Sequence, residues 1–265
     1  MKMHIVVCMK QVLDLEKIRI KPDTHEPVLE GVPVCLGDFE KNALEQAVRI
    51  KESLDDVTVT VVSVGSPKLN KTIMEALAIG ADEAVILVDP HVNGSDAMGS
   101  AIVLANVIQK IGDCDLILLG EGSTDEYSGQ VPSRLAEILD LPQVTYAREL
   151  EVLDHRIRAV RDLEDMLESV EVELPALVSV TQEINQPRLP PLTAILKAGK
   201  KPLHVWSLED INASAEEVGA DAAAFEELSN LAPAKPRKEM IFDEDIDSSV
   251  NQALEALEQE GVLDL

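Results

Sequence analysis

A doubly wound α/β fold with a mostly parallel sheet follows from two features of the chain. Four short β-branched or aliphatic runs recur, each followed by a segment whose apolar residues fall at helical spacing. The run 116–119 (LILL) is unbroken by polar residues and so reads as a strand buried on both faces. Strand–helix units in series demand right-handed crossovers and helices on both faces of one sheet. A third feature, the short strands with polar turns after residue 147, predicts an antiparallel hairpin added at the sheet edge.

Residues 4–9 (HIVVCM) predict the first, central strand, and the polar stretch 14–30 an exposed hairpin turning at Asp23 and Thr24. Ala43, Leu44, Ala47, Val48 and Ile50 mark the apolar face of a helix over 40–51, with Asp38 expected as its N-cap. Residues 57–64 (VTVTVVSV) predict the second strand, and 69–79 a helix ending at Gly80, expected as a C-cap glycine. Residues 84–88 predict the third strand and 96–111 the next helix. The fourth unit is the strand 116–119, a loop rich in small and polar residues, and a helix carrying Val131, Leu135, Ile138 and Leu139, stopped by Leu141 and Pro142. Further strands are predicted at 144–146, 149–153, 157–160, 169–172, 177–181 and 203–206, with a Pro-rich run and short helix over 185–201. The division is a domain over 1–206 and an acidic arm over 207–265, broken by PAKPR at 233–237. The arm closes on a helix whose narrow face is Val250, Leu254 and Leu257.

Composition narrows the function. Of 265 residues, 46% are hydrophobic but only 2% aromatic, so the core is aliphatic and lacks the ring platforms of single-stranded nucleic-acid binders. A net charge of −26 repels phosphate backbones. Cys8, Cys35 and Cys114 are too scattered for a zinc site or a disulfide framework. With no membrane-length apolar run and no signal-peptide pattern at MKMHIVVCMK, a cytoplasmic protein is expected. No metal spacing, Walker loop or Ser–His–Asp order occurs.

The stretch 114–146 carries the strongest site signal. A strand ending at Gly120, a glycine-bearing loop (Glu121, Gly122, Ser123, Thr124, Asp125, Glu126, Tyr127, Ser128, Gly129) and a helix start make an anion pocket of backbone amides and helix dipole. The competing reading is structural, with Asp125 and Ser128 merely capping the helix.

Several stretches resemble the β subunit of electron transfer flavoproteins. They are IVVCMKQV, NALEQAVRIKE, EALAIGADEAVIL, DLILLGEGSTD, LPQVTY, VRDLED…E…LP and QPRLPPLTAILKAGKKPL, running from the first strand to about Ile211. Signature positions Arg161, Glu164, Asp165, Glu168 and Pro175 are present; Met166 departs from the usual small or acidic residue. The resemblance implies an adenine-nucleotide α-hydrolase-like domain plus a C-terminal arm that wraps an α subunit. That partner carries the redox FAD, while the β chain holds AMP or, in bifurcating members, a second FAD. It also implies nucleotide contacts from Cys8, Gly37, Asp38, Phe39, Glu40, Val64, Gly122, Ser123, Thr124, Asp125, Tyr127, Ser128, Gly129, Gln130, Val131 and Pro132. Partners implied are flavin dehydrogenases and a downstream oxidoreductase, with Leu192 anchoring dehydrogenases and Arg161 and Leu254 at the subunit interface.

Tyr127 stands where related chains have a second acidic residue, and Pro132 where they have Gly. Gly129 and Val131 tilt the loop toward FAD rather than AMP. For Arg161 the plain alternative is a surface ion pair with Glu164 or Asp165; for Leu192 it is a core residue starting a helix. The rival function class is a nucleotide-binding regulatory or adenylyl-handling protein on the same scaffold. Lys10, Gln11, Val12 and Leu13, after the first strand, supply no Gly-rich phosphate cradle, which favours the carrier over that rival, and the resemblance implies an electron carrier subunit rather than a stand-alone enzyme.

Overall fold

Seven parallel strands place β1 (Met3–Met9) at their centre in the computed structural model, which describes residues 2–67, 69–224, 227–233 and 238–263. Four short strands follow as an excursion: β2 (Gln11–Leu13), β3 (Arg19–Ile20), β4 (Pro27–Val28) and β5 (Val34–Leu36), with β2 paired to β5 and β3 to β4. Then come α1 (Asp38–Ser53), β6 (Val57–Gly65), α2 (Leu69–Ile79), β7 (Glu83–Val88), α3 (Ala97–Ile111), β8 (Leu116–Gly120) and α4 (Val131–Leu139). The edge is built by β9 (Gln143–Val152), β10 (Arg156–Asp162) and β11 (Leu167–Glu173). β12 (Ala176–Val180) returns to the middle, and α5 (Leu192–Ala198) and β13 (Leu203–Trp206) complete the sheet.

The order is β11-β10-β9-β12-β8-β1-β6-β7-β13. All neighbours from β9 to β13 are parallel, while β9, β10 and β11 run antiparallel. The burial explains the sequence texture. β8 (LILLG) and β12 (ALVSV) are buried at every residue, whereas β11 alternates because one face meets water. Along β1, Met3, Ile5, Val7 and Met9 join the core under α1 and α2, and Val6 and Cys8 join the core under α3 and α4. From β1 the chain moves through α1 and α2 to β6 and β7, then crosses back through α3 to β8 on the other side of β1. The order therefore reverses between β1 and β8, the place where such sheets take ligands.

Several local expectations change. Gly37, not Asp38, is the N-cap of α1; Asp38 is the first helical residue and pairs with Lys41 at 3.0 Å. Gly80 is not a left-handed cap: a Cβ there would stand 2.6 Å from Val48 Cγ2, so the glycine lets α2 close onto α1. Helix α4 ends at Asp140, whose left-handed backbone (φ 53°) stops it before Leu141 and Pro142. The separate strands expected at 144–146 and 149–153 are one strand, β9, bent at Tyr146 with φ 57°.

The chain forms two compact units, Met1–Arg19 with Val28–Ser229, and Ile20–Pro27 with Asn230–Leu265. Residues 207–229, grouped with the arm by their acidity, belong to the first unit. Leu208, Ile211 and Val218 are buried in the same cluster as α3. In the second unit α6 (Ile246–Gln259) is capped by Asp245, which accepts from Ser248 N, and it buries none of its residues. Residues 234–237 of the expected PAKPR break lie outside the described residues.

Candidate functional site

At the reversal point the carboxyl ends of β1 and β8 meet the start of α1. Gly120 is required there because a Cβ would lie 2.5 Å from Phe39 Cβ, so the strand end and the helix start are in direct contact. Lys10, the first residue after β1, reaches across to the β8 loop: its Nζ donates to Asp125 Oδ1 at 2.9 Å and lies 3.4 Å from Glu126 Oε2. Burial pushes the Asp125 carboxyl up, but hydrogen bonds from Ser123 and Lys10 outweigh it and hold it below the ordinary range.

Glu40 lies beneath this bridge, 4% exposed, and its Oε2 has no hydrogen-bond partner. The carboxyl fills the space above Gly37, where a Cβ would stand 2.0 Å from Oε2. Burial raises the Glu40 pKa to about 7, with backbone hydrogen bonds and the Lys10 charge recovering only part of the desolvation.

The loop after β8 folds back on itself. Tyr127 N donates to Ser123 O at 3.0 Å, and the Tyr127 hydroxyl donates to Glu121 Oε1 at 2.7 Å. The Tyr127 ring leans on Phe39, centroids 5.5 Å apart at 49°. Gly129 takes a left-handed backbone (φ 64°), and a Cβ there would make only ordinary contacts, with Glu121 O at 3.8 Å and Tyr146 Oη at 3.9 Å. Helix α4 then starts with no side-chain cap, its N-cap Gln130 instead accepting from Arg134 Nη2 at 2.7 Å. Pro132 sits at the second helical position, where a missing N–H removes no helix bond. Neither Asp125 nor Ser128 caps the helix: Asp125 accepts from Glu126 N at 2.8 Å, and Ser128 Oγ from Gln130 N at 3.5 Å. No side chain caps the start of α4, which leaves its first-turn N–H groups at Val131 and Ser133 without a capping partner of the kind an anion can replace.

Around this point the fold gathers Gly37, Asp38, Phe39 and Glu40 with Gly122, Ser123, Thr124, Asp125, Tyr127, Ser128, Gly129, Gln130, Val131 and Pro132. Val64 is half-buried at the end of β6, the next strand over. Cys8 lies in the α3-side core, and burial pushes its thiol up to about 12. Beside the start of α1, an open cleft of about 310 Å³ is lined by Asp38, Lys41, Asn42, Gln182, Asn185, Gln186 and Pro187. Sequence reasoning passed over Lys10 as a site residue, although a lysine directly after a central strand is a usable signal. It also passed over Tyr146, which only the bend in β9 brings to the loop.

The remaining predicted residues lie elsewhere. Arg161 pairs across the hairpin with Glu168 at 2.6 Å and donates to Thr145 O and Oγ1 at 3.0 and 2.9 Å, so its ion-pair partner is neither Glu164 nor Asp165. Leu192 opens α5 and is 72% exposed, not a core residue. Val250, Leu254 and Leu257 form an exposed stripe on α6. Among the described residues no group of three metal-ligating side chains occurs, and no helix is long and apolar enough to cross a membrane.

Fold and loops together define a doubly wound α/β protein with a polar, glycine-lined loop cluster at its switch point. The family profile of the electron transfer flavoprotein domain matches residues 28–211. Caffeyl-CoA reductase-Etf complex subunit CarD of Acetobacterium woodii is 34% identical over 98% of this chain and 100% of its own length. Electron transfer flavoprotein subunit beta of Thermoanaerobacterium thermosaccharolyticum is 35% identical over the same shares. That of Clostridium acetobutylicum is 37% identical over 82% of this chain and 83% of its own. The chain belongs to the electron transfer flavoprotein family, as a β subunit.

Proposed function

We propose that this chain pairs with an α subunit and holds an adenine nucleotide at the β1–β8 switch point, FAD in preference to AMP. The complex carries electrons between flavin dehydrogenases and a downstream oxidoreductase. The observation that carries the reading is the left-handed Gly129, whose Cβ position meets no atom nearer than 3.8 Å, beside a helix start without a side-chain cap. The cradle fits the group: a left-handed glycine leaves room for a ligand to approach the backbone, and the α4 amides face its phosphates. Lys10, now shared between the loop carboxylates Asp125 and Glu126, and Arg134, held by Gln130 at the start of α4, offset phosphate charge in a chain of net charge −26. A bound flavin supplies the electron-accepting ring; the protein supplies position, charge and exclusion of water. The names of the relatives, β subunits and a reductase–Etf complex subunit, support partnership with an α subunit and dehydrogenases.

Gly129→Asn tests the choice of nucleotide. Asn tolerates the left-handed backbone, so folding is retained while its side chain enters the cradle. Flavin retention by the purified complex is expected to fall while AMP still binds; unchanged flavin retention contradicts the assignment of FAD to this cradle.

A further inference from the structure

Tyr127 is an unusual residue to find on this loop. Its backbone is left-handed (φ 46°), a conformation that a bulky side chain adopts only when its surroundings hold it there. Three contacts do so. The hydroxyl is fixed by Glu121 at 2.7 Å, and one flank of the ring rests on Phe39. The ring also covers Gly122 so closely that a Cβ there would stand 2.8 Å from Cδ2. Despite this, 55% of the residue remains exposed. The chain has only two tyrosines, and both come to this loop, Tyr146 approaching the Cβ position of Gly129. A ring held rigidly in a strained backbone, with one side seated and the other open, is oriented for a second ring rather than for the core.

We infer that Tyr127 is the ring-stacking residue of this site, selecting ligands that carry a planar nitrogen heterocycle beside their phosphate. The inference rests on the nucleotide reading of the switch point and deepens it. Glu121 and Gly122 act through Tyr127 as positioning residues, the first by fixing the hydroxyl and the second by leaving space under the ring. Stacking on one aromatic ring is sequence-tolerant, so the residue separates ligands with a base from ligands without one.

The test compares AMP with ribose 5-phosphate, by calorimetry on the full complex freed of nucleotide. Tyr127→Asn removes the ring, and Asn accepts the left-handed backbone, so the variant is expected to melt no earlier than the parent. Its AMP affinity is expected to fall about tenfold, with ribose 5-phosphate unaffected. Tyr127→Phe, which keeps the ring and loses only the bond to Glu121, is expected to stay within about threefold of the parent. A folded Tyr127→Asn variant that binds AMP as tightly as the parent overturns the inference. Equal losses for AMP and ribose 5-phosphate overturn it too, since the ring then holds the loop and not the base. If the parent complex takes up neither AMP nor FAD, the nucleotide reading itself fails.

Discussion

Glu40 concentrates the energetics of the site in one side chain. Its carboxyl is buried with one oxygen unpartnered, and its pKa stands at about 7 against an ordinary 4.5. An acid raised in the folded state binds its proton more tightly there than in the unfolded chain. The destabilisation is absent below about pH 4.5, grows as pH rises to about 7, and is constant above, reaching about 3 kcal/mol at most. Glu40→Gln should therefore gain stability over the parent between pH 5 and pH 8 in urea titrations; a difference that does not change with pH means the carboxylate has found a partner. Sequence alone marked Glu40 only as a pocket residue. Its burial depends on Gly37 leaving space for the carboxyl, and on Lys10 crossing to Asp125, a residue 115 positions away. Pairings over such separations leave no local pattern.

At the scale of elements, the Pro-rich segment before α5 is tied to α1 by charge. Arg188 donates to Glu45 at 2.7 and 3.1 Å and to Glu52 at 2.5 and 2.8 Å, while Asn42 and Asn185 exchange amide hydrogen bonds. Glu45 is buried, so Arg188→Ala leaves its carboxylate with Arg49 alone and should cost about 1–3 kcal/mol in thermal or urea unfolding. If the loss is near zero, solvent already screens the cluster. Leu192, presented by this stiffened segment, should behave in the opposite way. Leu192→Ala is expected to leave the melting temperature almost unchanged while slowing electron delivery from a dehydrogenase; early melting contradicts a surface role. Strand positions were readable because β1, β6, β7, β8 and β12 carry long buried apolar runs, and such runs are visible residue by residue. Helix ends were less so. The stop at Asp140 depends on a backbone conformation, and the cap at Gly37 on the packing of its neighbours, neither of which residue type alone determines.

For the whole molecule, one sheet with helices on both faces follows from the strand–helix succession, and its reversal point marks the candidate site without any motif. Acidity was the misleading signal: it grouped residues 207–229 with the tail, although Leu208, Ile211 and Val218 are spaced to return to the α3 side of the core. Helix α6 does carry the one-sided stripe expected of a docking element, and it buries no residue of its own. Leu254→Asp should weaken pairing with the α subunit by about 2–4 kcal/mol, read as a shift in the dissociation constant; a change under about 0.5 kcal/mol means the stripe stays in water. The central claim, that the switch point of this chain holds FAD in a heterodimer, is tested most directly by its cofactor content. The complex is purified, denatured, and its flavin and AMP are quantified per heterodimer. Two flavins and no AMP are expected, one flavin belonging to each subunit. One flavin together with one AMP contradicts the claim.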